Sequence, residues 1–171
     1  MSNTDASHNM TPSAFSIRKA GPEDISLIMD FITKLAIYEK LEDQVTANEQ
    51  KLHEALFGDE QFAEVILGFE HDTPVGFALY FHNFSTFLAK PGLYLEDLFV
   101  LEKYRGNGFG LAMMKYLAKL AKKRGCGRFE WSVLNWNEPA IKFYEKLGAE
   151  PMDGWTVYRL AGSDLDEIAE D

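Results

Sequence analysis

Leu93-Tyr94-Leu95-Glu96-Asp97-Leu98-Phe99-Val100, then after four residues Arg105-Gly106-Asn107-Gly108-Phe109-Gly110, is the stretch on which the fold turns. The first run is apolar and β-prone apart from two adjacent acids, and it reads as a strand over Leu93–Val100. The second is a glycine loop opening a long apolar-periodic helix from about Gly108 to Arg124, which Gly125 ends. Glycines at 106, 108 and 110 permit positive φ and keep side chains away from anything approaching the backbone. Exposed N–H groups at a helix start, reinforced by the helix dipole, suit an anion such as a pyrophosphate. The alternative reading of such a loop is a turn without a ligand. A P-loop is excluded because no Gly-Lys-Ser/Thr follows. A dinucleotide fingerprint fits poorly, since Leu111 stands where its third glycine belongs and Glu130 falls mid-strand.

Outward from this stretch the chain reads as an alternation of helices and strands. Phe15 to Ala20 is a first strand, and Gly21-Pro22-Glu23-Asp24 starts a helix carrying Ile25, Ile28, Met29, Ile32, Leu35 and Ala36 on one face. Thr46-Ala47-Asn48-Glu49 has the capping-box form and opens a helix to Leu56, with Gly58 as its stop. Phe62–Phe69 and Val75–His82 are strands joined as a hairpin through residues 71–74. Beyond the long helix, Arg128–Leu134 is a strand, Pro139–Leu147 a helix and Trp155–Leu160 a last strand. The expected architecture is one α/β (α+β) domain over 15–162, a mixed and mostly antiparallel sheet flanked by helices. Residues 1–14 read as a flexible tail and 163–171 as an acidic one.

With 171 residues, 46% of them hydrophobic, the chain is of one-domain size and rich enough in apolar side chains for a core. No run of about 18 uncharged apolar residues is present, so no membrane helix is expected. One cysteine, Cys126, excludes an intramolecular disulfide and reads as a small packed hydrophobe. The opening residues have neither a basic leader nor an apolar run, so no signal peptide is expected and the cytoplasm is the default location. His8, His53, His71 and His82 are scattered without ligand spacing, and no metal site is expected. The net charge of −10 divides unevenly: residues 101–128 carry eight bases against Glu102 alone, a net +7, and the rest carries −17. An acidic surface repels nucleic acid and attracts cations, while the basic segment can receive an anion. Its lysines can also be no more than a solvated helix face.

Glu96 and Asp97 are hard to explain as core packing, and strict strand alternation points them to opposite faces. A functional carboxylate competes here with edge-strand solubility or a salt bridge.

Strand, R-G-x-G-x-G loop and helix together resemble the acyl-CoA motif of the GNAT superfamily of N-acetyltransferases, over about residues 15–162. Leu93–Val100, Trp136-Asn137-Glu138-Pro139, Phe143-Tyr144-Glu145-Lys146-Leu147-Gly148-Ala149, Gly154-Trp155 and Leu35-Ala36-Ile37-Tyr38-Glu39 resemble its diamine acetyltransferase subgroup, the spermidine/spermine and thialysine enzymes. The resemblance implies acetyl-CoA as co-substrate, a primary amine on a small cationic molecule as acceptor, and a homodimer. It implies that the backbone of Leu98, Phe99 and Val100 pairs with the pantetheine arm. The loop Arg105, Gly106, Asn107, Gly108, Phe109, Gly110 and Leu111 would hold the pyrophosphate, and Asn137 would touch the CoA arm. Tyr38, Glu39, Glu96, Asp97 and Trp155 would form the amine site, with Glu130 to Ser132 as weaker candidates. Tyr144 would be the general acid and Glu96 a water-mediated base or amine binder.

A free alkylamine has a pKa of about 10.4 and must lose a proton to attack a thioester, and the departing thiolate must gain one. A carboxylate and a tyrosine are suited to those tasks. Polyamine-preferring members carry an acid in the loop that here reads His82-Asn83-Phe84-Ser85-Thr86-Phe87. Its absence favours a short diamine or a lysine-like amino acid over long polyamines. The other readings are an acyl-CoA sensor without turnover, a protein-amine acetyltransferase and a nucleotide-dependent oxidoreductase.

Overall fold

The computed structural model describes residues 15–170; the tail expected over 1–14 lies outside the described residues, as does Asp171. Two compact units divide at Ser132, and each is taken by itself.

The first unit is a five-stranded sheet with three α-helices. Its strands are β1 (Phe15–Lys19), β2 (Glu64–Glu70), β3 (Thr73–Ser85), β4 (Lys90–Val100) and β5 (Arg128–Trp131), in spatial order β1-β2-β3-β4-β5. Every pairing is antiparallel except β4–β5, which is parallel. Helices α1 (Ile25–Glu39) and α2 (Glu49–Phe57) precede β2, and α3 (Phe109–Lys123) links β4 to β5. A parallel neighbour requires such a crossover. The expected mixed, mostly antiparallel α/β architecture is therefore the observed one.

Burial divides the sheet into two faces. Ile28, Phe31 and Leu35 of α1 and Leu56 of α2 meet Val65, Leu67, Phe77 and Phe99 in one core. Phe31 stacks on Phe77 at 5.4 Å. Met113 and Leu117 of α3 are fully buried, and the Met113 sulfur lies 3.4 Å from where a Gly68 side chain would begin. Phe109 anchors the helix start by stacking on Phe15 at 4.3 Å. The entry to α1 is held by Arg18, whose guanidinium donates two hydrogen bonds to buried Asp24 at 2.6 and 2.7 Å. That contact holds the Asp24 carboxyl below its ordinary range.

Several boundaries move. The cap of α2 is Asn48, which accepts a hydrogen bond from the Lys51 N–H at 2.9 Å, rather than Thr46 two residues earlier. Asparagine serves as well as threonine in that role. The β3–β4 hairpin is longer than hydropathy suggests, because pairing continues from His82–Leu93 to Ser85–Lys90.

The second unit holds α4 (Glu138–Lys146) and α5 (Ser163–Ala169). The strand expected over Trp155–Leu160 is not formed: those residues are irregular and exposed. A strand exists only where a neighbour satisfies its backbone groups, and none of the described strands pairs with this segment. Part of the expected acidic tail is instead the helix α5, whose first turn carries Asp164 and Asp166 where the helix dipole favours negative charge.

Candidate functional site

The site is organised by one irregularity in β4. The β3–β4 register pairs Tyr80 with Leu95 but Leu79 with Asp97, so Glu96 is an extra, bulged residue. A bulge interrupts alternation and bends its strand, so simple alternation at Glu96 and Asp97 does not hold. Leu93 and Leu95 lie on the face shared with Tyr80. After the bulge, Asp97 and Phe99 stand opposite Leu79 and Phe77, on the face covered by α1.

The parallel pairing of β5 also ends here. It runs from Gly92–Arg128 to Leu95–Trp131 and no further. From Glu96 to Val100, β4 has no β5 partner, so on that side its hydrogen-bonding ladder is left open. An extended ligand arm can add to such an edge as a strand would.

At the opening, Asp97 is half-buried, and its carboxyl is pushed up to about 7 by burial first, then by Glu96 and Glu39. Glu39, at the end of α1, is also raised by burial. Glu96 itself is exposed. Tyr38 packs 6.4 Å from the ring of Phe99. Arg105 spans the two: its guanidinium carbon lies 4.3 Å from the Tyr38 ring centre and 5.4 Å from that of Phe99. Its Nε donates to the Val100 carbonyl at 2.9 Å. Tyr38, Glu39, Glu96, Asp97, Phe99 and Arg105 are thus brought together from three segments. The sequence carries no signal for the Arg105 stack, because Tyr38 and Arg105 are 67 positions apart.

The glycine loop follows directly. Gly106 and Gly108 have φ of +83° and +81°, and a Cβ built on either meets nothing within 4 Å. The glycines are required by the backbone there, and the space above them is open. The N–H groups of a first helical turn lack intrahelical partners, so the start of α3 presents donors beside this space. Asn107 turns back, donating to the Tyr104 carbonyl at 3.2 Å. The side chain of Phe109 is buried, which leaves its backbone for any ligand, and Leu111 is half-buried. An open, donor-lined loop next to an unpaired strand edge fits a phosphate-bearing acyl carrier. The basic segment offers less free charge than its +7 suggests, because Arg124 pairs with Glu64 and Arg128 with Glu130.

In the second unit, Asn137 is buried and caps α4, accepting from the Ala140 N–H at 3.4 Å. Tyr144 is half-buried two turns along that helix, 5.3 Å from the Phe143 ring. Trp155 is 74% exposed.

Known proteins resemble this chain along most of its length. The acetyltransferase (GNAT) family model matches residues 34–149. Mouse thialysine N-epsilon-acetyltransferase is 35% identical over 164 residues, covering 90% of this chain and 96% of the mouse protein. The L-ornithine N5-acetyltransferase of Arabidopsis thaliana is 34% identical, covering 89% and 86%. Among solved structures, an integron cassette protein from Vibrio cholerae superposes with a TM-score of 0.78 at 31% identity, over 92% of this chain and 99% of that one. By sequence and by fold, the chain belongs to the GNAT family of acetyltransferases.

Proposed function

We propose that this acetyltransferase moves the acetyl group of acetyl-CoA to the primary amine of a small cationic substrate, a short diamine or a lysine-like amino acid. GNAT acetyltransferases use acetyl-CoA as co-substrate, and relatives of this chain act, by their names, on thialysine and ornithine. The observation that carries the reading is the acidic opening in β4, with Glu96, Asp97 and Glu39 beside an unpaired strand edge that leads into the glycine loop.

The acceptor arrives as an ammonium ion, which the carboxylates attract and hold. Glu96, exposed at the bulge, takes its proton through water or binds the amine while water takes it. The free amine adds to the thioester carbonyl, the tetrahedral intermediate expels CoA thiolate, and, as the family resemblance implies, the Tyr144 hydroxyl protonates that sulfur. The surplus proton on the attacking nitrogen passes through water to the tyrosinate, leaving the neutral amide. The residues suited to hold acetyl-CoA are the backbone of Leu98 to Val100, the loop from Arg105 to Leu111, and Asn137. Transfer is direct within a ternary complex, so Cys126 carries no acetyl group and Cys126→Ala retains turnover. The assembly we propose is a homodimer.

The loop lacking an acid disfavours long polyamines. Ser85 within it is buried, and its hydroxyl accepts from the Leu88 N–H at 3.3 Å, which gives it a turn-holding role. The test is a panel of amines assayed with acetyl-CoA by thiol release. Steady turnover with thialysine and short diamines supports the reading. Spermine outperforming them tenfold or more in kcat/KM would sink the substrate preference, and no turnover with any amine would sink the activity.

A further inference from the structure

The sheet face that carries Asp97 extends past the cover of α1. Beyond Phe77 and Phe99 it continues through Phe81 and Asn83 of β3, Tyr94 of β4, and Arg128 and Glu130 of β5. The register places Phe81 against Tyr94, Asn83 against Gly92, Tyr94 against Glu130 and Gly92 against Arg128. Each of these side chains is only half-buried.

Gly92 is the middle of a polar cluster. With no side chain there, Asn83 and Arg128 lean across β4; a Cβ would come within 2.2 Å of Asn83 Oδ1 and 3.1 Å of Arg128 Nε. Asn83 Nδ2 donates to Glu130 Oε2 at 3.0 Å. Arg128 Nε lies 2.8 Å from the same oxygen, an ion pair without hydrogen-bond alignment. Arg128 Nη2 reaches the Phe84 carbonyl at 3.4 Å. Asn83 Oδ1 is buried and accepts no hydrogen bond, which is destabilising. As a stabilising device the cluster is poor. Yet the Arg128 and Glu130 side chains remain 37% and 31% exposed, so opposite charges are displayed side by side with capacity to spare.

We propose that Arg128 and Glu130 read the α-carboxylate and α-ammonium of an amino-acid substrate whose terminal amine is acetylated at the β4 opening. The inference rests on the acetyl-transfer reading above and selects among its substrates. Glu130 is level with Tyr94, and Glu96 and Asp97 are two and three residues farther along β4. At about 3.3 Å per residue that is roughly 7–10 Å. A lysine-like side chain places its terminal amine roughly 6 Å from the α-carbon, five bonds of about 1.5 Å in zigzag, and the α-substituents extend the reach. The guanidinium fork matches a carboxylate, and Glu130 takes the α-ammonium. A diamine of the same length would bring a second cation to Arg128 without a carboxylate to offset it, so the pair selects against it.

The test compares L-thialysine with bis(2-aminoethyl) sulfide, the same chain without its carboxylate. The wild type should favour thialysine in kcat/KM. Arg128→Gln should lower the thialysine-to-diamine ratio at least tenfold, mainly through KM, and Arg128→Lys should recover part of it. Glu130→Gln should also weaken thialysine. A ratio unchanged within twofold in a folded Arg128→Gln protein would overturn the proposal. A wild-type preference for the diamine by tenfold would do so with no variant at all. Calorimetric binding of L-thialysine separates the two levels. Turnover of neither amine overturns the acetyl-transfer reading, whereas thialysine binding that Arg128→Gln leaves unweakened overturns this site.

Discussion

Asp97 shows how one inserted residue converts strand chemistry into site chemistry. Without the bulge at Glu96, Asp97 would share the face of Leu95; with it, the half-buried carboxyl lies within the electrostatic reach of Glu39 at the end of α1. A carboxyl whose folded pKa is raised binds more protons folded than unfolded across the interval from about 4 to about 7. Stability contributed by the protonated form is therefore lost as pH rises through that interval. Asp97→Asn is expected to raise stability at pH 8 by on the order of 1–3 kcal/mol and to leave it nearly unchanged at pH 4; denaturation curves at the two values check this. The same variant should raise KM for the amine, because the ionised carboxylate is its electrostatic partner. Tyr144 makes a separate demand. Removing a general acid typically costs 10²–10⁴-fold, so Tyr144→Phe should cut kcat by about that range while acetyl-CoA still binds near normally. An unchanged kcat refutes the assignment.

Between elements, the strongest fastening lies away from the chemistry. Glu64 of β2 pairs with Arg124 beyond α3 at 2.5 and 3.0 Å and with Lys19 of β1 at 2.9 Å. These contacts, Arg124 first, hold its carboxyl at about 2 despite partial burial. A depressed folded pKa contributes stability that is complete above the unfolded value near 4.5 and is lost as pH falls toward 2. Glu64→Gln should therefore cost about 2–3 kcal/mol at pH 7, and the gap between variant and wild type should close below pH 4. A constant gap across pH would mean the loss is packing rather than charge. The long helix before β5 was legible because its apolar spacing, glycine start and glycine stop are local signals. The clamp was not, since Glu64 and Arg124 are 60 positions apart and either alone reads as surface charge.

For the whole molecule, the charge imbalance of −10 bears on encounter rather than on fold. Raising ionic strength from 0.01 M to 0.15 M shortens the Debye length from about 30 to about 8 Å. The kcat/KM for a cationic amine should then fall several-fold with kcat unchanged, and a salt-independent value would show that bulk acidity does not recruit substrate. The sequence by itself determined the order of the elements in the first unit, the glycine loop and the acids beside it, because caps, periodicity and positive-φ glycines act over a few residues. Tertiary structure alone decided the rest: the bulge that turns Asp97 toward α1, the place where β5 leaves β4, and the Arg128–Glu130 pair across Gly92. It also decided that Trp155–Leu160, strand-like in composition, forms no strand. Each depends on which neighbour a backbone or charge meets across the sheet, and that choice is made by packing between distant segments rather than by local preference.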